Sequence, residues 1–207
     1  MDDRRPPHLP ISRAPAAGAG VVFAAFAVFS VWQVHDGAAL DHLARRFTDW
    51  FMEGWVDPTV SFFGPLAEPE FATVVAVLLA AVLAVVRGWR VAVLVIGGFA
   101  ALAAAELSLR AVFGLSGGFV SLGDALVHAY PSGHAARVPL LAGMVAALMR
   151  GRTRWAMVAL AVVLALLIAL DRVDSGKQNA SYVTGGLLLG LGMALVFAAL
   201  LPLAQRR

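Results

Sequence analysis

The sequence predicts an all-α, polytopic membrane protein: a bundle of about six transmembrane helices, with an interfacial amphipathic helix after the first span. Three observations carry that expectation. Hydrophobic residues make up 60% of the chain and charged residues only 14%, where a soluble domain is nearer half and a quarter. The apolar residues gather into runs about as long as a helix needs to cross a ~30 Å hydrocarbon core. Most of the arginines stand beside these runs and few lie inside them.

Residues 1–15, with Pro6, Pro7, Pro10 and Pro15, read as a disordered cytoplasmic tail. Residues 16–207 read as a single membrane domain, because no connection is long enough to hold a second. The apolar stretches are roughly Ala16–Val34, Phe71–Val86, Val91–Phe113, Ala135–Met149, Trp155–Leu170 and Tyr182–Leu203. The second, fourth and fifth are short, so flanking residues must complete them. Arg87-Gly88-Trp89-Arg90 and Arg150-Gly151-Arg152-Thr153-Arg154 are tight turns. The first stretch runs into Trp32-Gln33-Val34-His35, which is no small-residue cleavage site, so it reads as a span and not a secretory signal.

Between the first two spans, about residues 38–55, Leu40, Leu43, Ala44, Phe47, Trp50, Phe51 and Trp55 recur at helical spacing. Asp41, His42, Arg45, Arg46, Asp49 and Glu53 take the other face. Such a helix suits the headgroup layer, and packing on the bundle is the alternative. Gly97/Ala101/Ala105 and Gly186/Gly190/Ala194 form small-residue stripes that let helices approach closely.

Charge sets the expected orientation. With a cytoplasmic N-terminus, the inner side holds Arg4, Arg5, Arg13, Arg87, Arg90, Arg150, Arg152, Arg154, Arg206 and Arg207, the larger share of the 16 basic residues. The positive-inside rule then places both termini in the cytoplasm. The chain is expected in the cell inner (plasma) membrane. The net charge of +3 is not accompanied by a basic patch interleaved with aromatics, so no nucleic-acid partner is expected. There are no cysteines, which excludes disulfides, thiol chemistry and Cys-based zinc sites. Histidines and carboxylates are scattered without ligand spacing, so neither a metal nor another cofactor is expected.

The residues with chemistry fall at the expected outer side, where ionisable groups at a bundle mouth are candidate sites. Glu106 and Arg110 lie one turn apart and can pair. Tyr130-Pro131-Ser132-Gly133-His134 opens the fourth span. Ser132 and Gly133 offer a hydroxyl and an unobstructed amide at the positive end of a helix, and His134 can donate a proton. The same residues can serve only as a helix cap. Asp171-Arg172-Val173-Asp174-Ser175-Gly176-Lys177-Gln178 joins the last two spans. Arg110 and Arg172 can supply fixed charge to a phosphate, and Lys177 can reach a headgroup. Asp171 can pair with Arg172 or Arg137.

Pro131-Ser132-Gly133-His134 in its setting resembles the central motif of the type 2 phosphatidic acid phosphatases, the lipid phosphate phosphatases related to vanadium haloperoxidases. Membrane members have six spans, an interfacial helix after the first and an outward-facing site. The layout agrees along the whole chain and the motifs over about residues 106–190. The family's first motif, Lys, six residues, Arg-Pro, falls on Arg110 and then Gly117-Gly118, so its Arg-Pro pair is lost. Its third motif, Ser-Arg, five residues, His, three residues, Asp, aligns without a gap when Arg172 takes the arginine. The nucleophilic histidine then falls on Gln178 and its supporting aspartate on Tyr182.

The resemblance implies His134 as general acid and a phosphate cradle of Arg110, Ser132, Gly133, His134 and Arg172. The amide nitrogen of Gln178 has no useful lone pair with which to attack phosphorus, and Tyr182 has no permanent charge with which to orient one. The expected function is therefore binding of a phosphorylated lipid, a polyprenyl phosphate or a phospholipid, without the family's covalent phosphatase activity. Two alternatives stay open. One is an active phosphatase, diphosphatase or phosphoryl transferase with a relocated nucleophile, for which His128 is the candidate. The other is a structural partner subunit of a membrane protein, with a vestigial site.

Overall fold

The computed structural model describes residues 12–51, 62, 64–114, 130–176 and 178–205, and every regular element among them is helical. α1 spans Arg13–Phe51, and a 3-10 turn at Gly64–Ala67 leads into α2, Pro69–Val86. α3 is Trp89–Gly114, α4 Gly133–Leu148, α5 Gly151–Asp174 and α6 Ala180–Ala204. Among the described residues five stretches are long and apolar enough to cross a membrane: Arg13–Val34 of α1, α2, Trp89–Phe113 of α3, α5 and α6. The fourth expected span is shorter. α4 has 16 residues, rising about 24 Å at 1.5 Å per residue. Large apolar side chains such as Val28, Val85, Trp155 and Val162 stand on the outside, as they do where the surrounding solvent is lipid.

Of the five long apolar helices α6 is the most buried: 39% of an 18-residue stretch of it is buried, against 17–22% in the other four. It packs along α1 and α4 and touches α3 and α5, while α2 joins chiefly through α3. Glycine makes the α4 contact possible. A methyl group at Gly190 would run into the carbonyl oxygen of Ala136, and one at Gly186 into that of Ser132. The Gly186/Gly190/Ala194 stripe thus faces α4. The other stripe packs against the core only at Ala105: Gly97 and Ala101 are exposed, and nothing lies within 4 Å of a methyl group built on Gly97. Its neighbour Gly98 faces Met144 instead, in line with buried Leu102, Glu106 and Arg110. Small residues line more than one side of this Ala-rich helix, so their spacing alone did not single out the packed face.

α1 corrects two expectations. It starts at Arg13, inside the expected tail, and it continues without a break through the amphipathic segment to Phe51. Its 39 residues extend about 58 Å, nearly twice the hydrocarbon thickness. Continuity follows from phase. Buried Ala19, Phe26, Ser30, Gly37 and Thr48 keep one stripe toward the bundle, and no proline interrupts it. The amphipathic end is docked: Leu40 and Ala44 pack against Ala135, Val173, Ala180 and Val183. Asp41 is not on a solvated face but accepts from the Ser181 amide (2.8 Å) and hydroxyl (3.2 Å) at the start of α6. Leu43, Phe47 and Trp50 stay exposed. Residues 52–55 lie outside the described residues.

The opposite end of the bundle has simpler connections. α2 and α3 are joined through Gly88, whose φ of +97° is a conformation that residues with a Cβ rarely adopt. The arginines at 87, 90, 150, 152 and 154 gather at this end, away from the cluster described next.

Candidate anion-binding site

The mouth of the bundle is assembled around Tyr130. Its ring stacks on Phe26 (centroids 6.2 Å apart) and meets Phe113 and Tyr182 edge-on at 5.0 and 5.8 Å. Its hydroxyl lies 2.6 Å from Ser30 Oγ. Gly185 leaves room for this ring, since a side chain there would collide with it. The Ser132 amide then donates to the Tyr182 carbonyl at 3.0 Å, fixing the start of α4 against α6. Ser132 itself is fully buried; it caps α4 by accepting from the Ala135 amide (3.2 Å) and donates to Gln178 Oε1. The hydroxyl therefore has the cap role and also faces the site.

The Glu106 carboxylate lies directly over Gly133, where any side chain would strike it. It accepts from Arg137 Nη2 at 2.8 Å and stands 3.8 Å from Arg110 Nη2. Glu106 thus meets Arg110 as its spacing predicts, but Arg137 of α4 is the closer partner. An anion at a helix N-terminus is favourably placed, because the first amides and the helix dipole point toward it.

His134 and Arg172 share a second carboxylate, Glu68. Its Oε2 is 3.0 Å from His134 Nε2 and its Oε1 accepts from Arg172 Nη2 at 3.0 Å. Burial by itself raises the Glu68 carboxyl, but the hydrogen bonds and charges of His134 and Arg172 outweigh it and hold the group below its ordinary 4.5. Asp171 is buried beside Arg172, 3.5 Å from its Nε, and so takes Arg172 of its two candidate partners. Glu106 Oε1, His134 Nδ1 and Arg137 Nη1 are buried without a hydrogen-bond partner among the described residues.

Arg110, Ser132, Gly133, His134 and Arg172 therefore gather at one end of the bundle, contributed by α3, α4 and α5. Gln178 is buried among them, its backbone N–H donating to the Arg172 carbonyl at 2.9 Å. Tyr182 turns its ring to Tyr130, and its backbone carbonyl accepts from the Ser132 amide. His128, Gly117, Gly118 and Lys177 lie outside the described residues.

Sequence spacing misses Glu68 and Arg137. Glu68 is 66 residues from His134 and 104 from Arg172, in a short Glu-Pro-Glu stretch with no periodic signal. Arg137 had a detectable signal, since it lies one turn beyond Gly133 on the same helix. Among the described residues no group of three His, Asp or Glu side chains is arranged to hold a metal ion. Chemically, the arrangement can hold anions: two internal carboxylates already occupy positions that cationic side chains and a helix N-terminus create. No family model, curated protein or solved structure matches the chain.

Proposed function

We propose that this chain is a lipid phosphate phosphatase-like membrane protein that binds the phosphate headgroup of a lipid, a polyprenyl phosphate or a phospholipid, and does not hydrolyse it by a phosphohistidine route. In this reading α4 is a short sixth span, both termini are cytoplasmic and the site faces the extracytoplasmic side. One observation carries the proposal. The cradle residues lie together at the mouth of the bundle, while the position of the attacking histidine is filled by Gln178, turned toward Ser132. The Arg172 guanidinium and the imidazole of His134 are the phosphate contacts, with Ser132 and the Gly133 amide behind them.

The pairing of Arg110, Arg137 and Arg172 with carboxylates favours a second reading, a structural subunit whose ion pairs only fasten the helices. Binding separates the two. Arg172→Ala should weaken binding of a phosphorylated lipid and leave a neutral lipid unaffected. A charge-assisted contact of this kind contributes about 1.5–3 kcal/mol. Lipids retained by the wild-type and Arg172→Ala proteins, identified by mass spectrometry after purification, supply the measurement. Equal retention of phosphorylated lipid by both would support the structural subunit instead.

A further inference from the structure

No motif marks Glu68, yet its carboxylate touches two members of the cradle at once. One oxygen faces His134 Nε2 and the other accepts from Arg172 Nη2, each at 3.0 Å. Two acceptor oxygens set against this pair are also what a phosphate group would present. Both anions cannot hold the same donors. The exposures show which side Glu68 occupies: the side chains of Arg172 and His134 are 5% and 11% exposed, while that of Glu68 is 43% exposed. The carboxylate therefore covers the pair from outside and can leave without parting the helices. Its backbone setting agrees. Glu68 is the junction between the Gly64–Ala67 turn and Pro69, the first residue of α2, and its side chain makes no capping bond to α2. Glu106 is the contrast, a carboxylate 4% exposed and held between Arg137 and Arg110.

We propose that Glu68 is a displaceable internal anion occupying the phosphate position at His134 and Arg172, so that a phosphate group binds there only when the Glu68 side chain swings out. This deepens the phosphate-site reading and rests on it. The exchange replaces one set of charge-assisted contacts by another, while the released carboxylate regains water. The apparent affinity is then the intrinsic one reduced by the fraction of molecules with Glu68 out. Glu68 in this role sets the concentration at which the site fills.

The test is calorimetric titration of the full-length chain in detergent micelles with two probes, inorganic phosphate and dodecyl phosphate. Wild type is compared with Glu68→Gln, Glu68→Ala and Arg172→Ala, each checked for helical content. Both Glu68 variants should bind the probes about tenfold more tightly than wild type, the scale of one competing charge-assisted contact, and Arg172→Ala more weakly. If Arg172→Ala binds more weakly but neither Glu68 variant gains affinity, displacement is overturned and the phosphate site stands. If Arg172→Ala binds as wild type does, or no protein binds either probe, the site reading falls and displacement with it. Tighter binding of dodecyl phosphate than of inorganic phosphate assigns the ligand to a lipid headgroup, and equal binding assigns it to the phosphate alone. In either case the ratio of Glu68 variant to wild type decides the role of Glu68.

Discussion

Among the residues at the mouth of the bundle, Gln178 has the most direct consequence for chemistry. It is buried, it receives the Ser132 hydroxyl, and its amide nitrogen has no lone pair to offer phosphorus. Tyr182, four residues on, presents a ring to Tyr130 and no carboxylate to the site. On the proposed reading, in which Gln178 stands where the attacking histidine would be, purified wild-type protein is expected not to turn over phosphatidic acid or a polyprenyl diphosphate, because loss of a nucleophile lowers rates by several orders of magnitude. Phosphate release from either lipid by wild type, abolished in His134→Ala, would overturn this. His134 and Ser132 could be picked out from the sequence because they stand together at a helix start. Glu68 could not, because its partners are reached only through the packing of the 3-10 turn on α4 and α5. A carboxylate in a short connection carries no periodic signal of what lies opposite it.

At the scale of helices, the two small-residue stripes look alike in sequence and behave differently in the fold. Gly190 approaches the Ala136 carbonyl so closely that even a methyl group must displace backbone, whereas Gly97 has open space around it. Gly190→Ala is expected to destabilise the protein by about 1–3 kcal/mol, the usual cost of forcing extra volume into a packed contact. Gly97→Ala should be neutral or slightly stabilising, by no more than about 1 kcal/mol, since alanine is the better helix former. Thermal unfolding in one detergent, with the two variants side by side, measures the contrast. Equal destabilisation would mean that α3 packs through Gly97 after all. The reason the sequence did not separate them is that a small residue permits close approach without requiring it. Only the partner, the Ser132–Ala136 backbone of α4, makes the requirement. Continuity of α1 is a similar case: the apolar span and the amphipathic segment were each legible, but the phase that joins them depends on α6, against which Gly37 and Asp41 both rest.

Across the whole molecule, the polar cluster and the arginine-rich turns lie at opposite ends, and this asymmetry connects fold to topology. Helical class, the apolar stretches and the end carrying the polar cluster were readable from composition and spacing, because burial in lipid demands long apolar runs and tolerates charge only at their mouths. The shortness of the fourth stretch was readable as well, but its expected completion by flanking residues is not met: α4 starts at Gly133, directly after its cap Ser132, and has 16 residues. In the proposed topology the turns holding Arg87, Arg90, Arg150, Arg152 and Arg154 are cytoplasmic, as the positive-inside rule expects, and Glu68, His134 and Arg172 then face outward. The chain has no cysteine, so single-cysteine variants can be labelled without background. Arg152 and Ser175 are both exposed and lie at opposite ends of α5. An impermeant maleimide applied to intact cells should label Ser175→Cys and leave Arg152→Cys unlabelled until the membrane is opened. The reverse pattern would put the anion site on the cytoplasmic face, where its ligand would be the inner-leaflet headgroup. Labelling of both in intact cells would mean that α5 does not cross the membrane, and the six-span arrangement would fail with it.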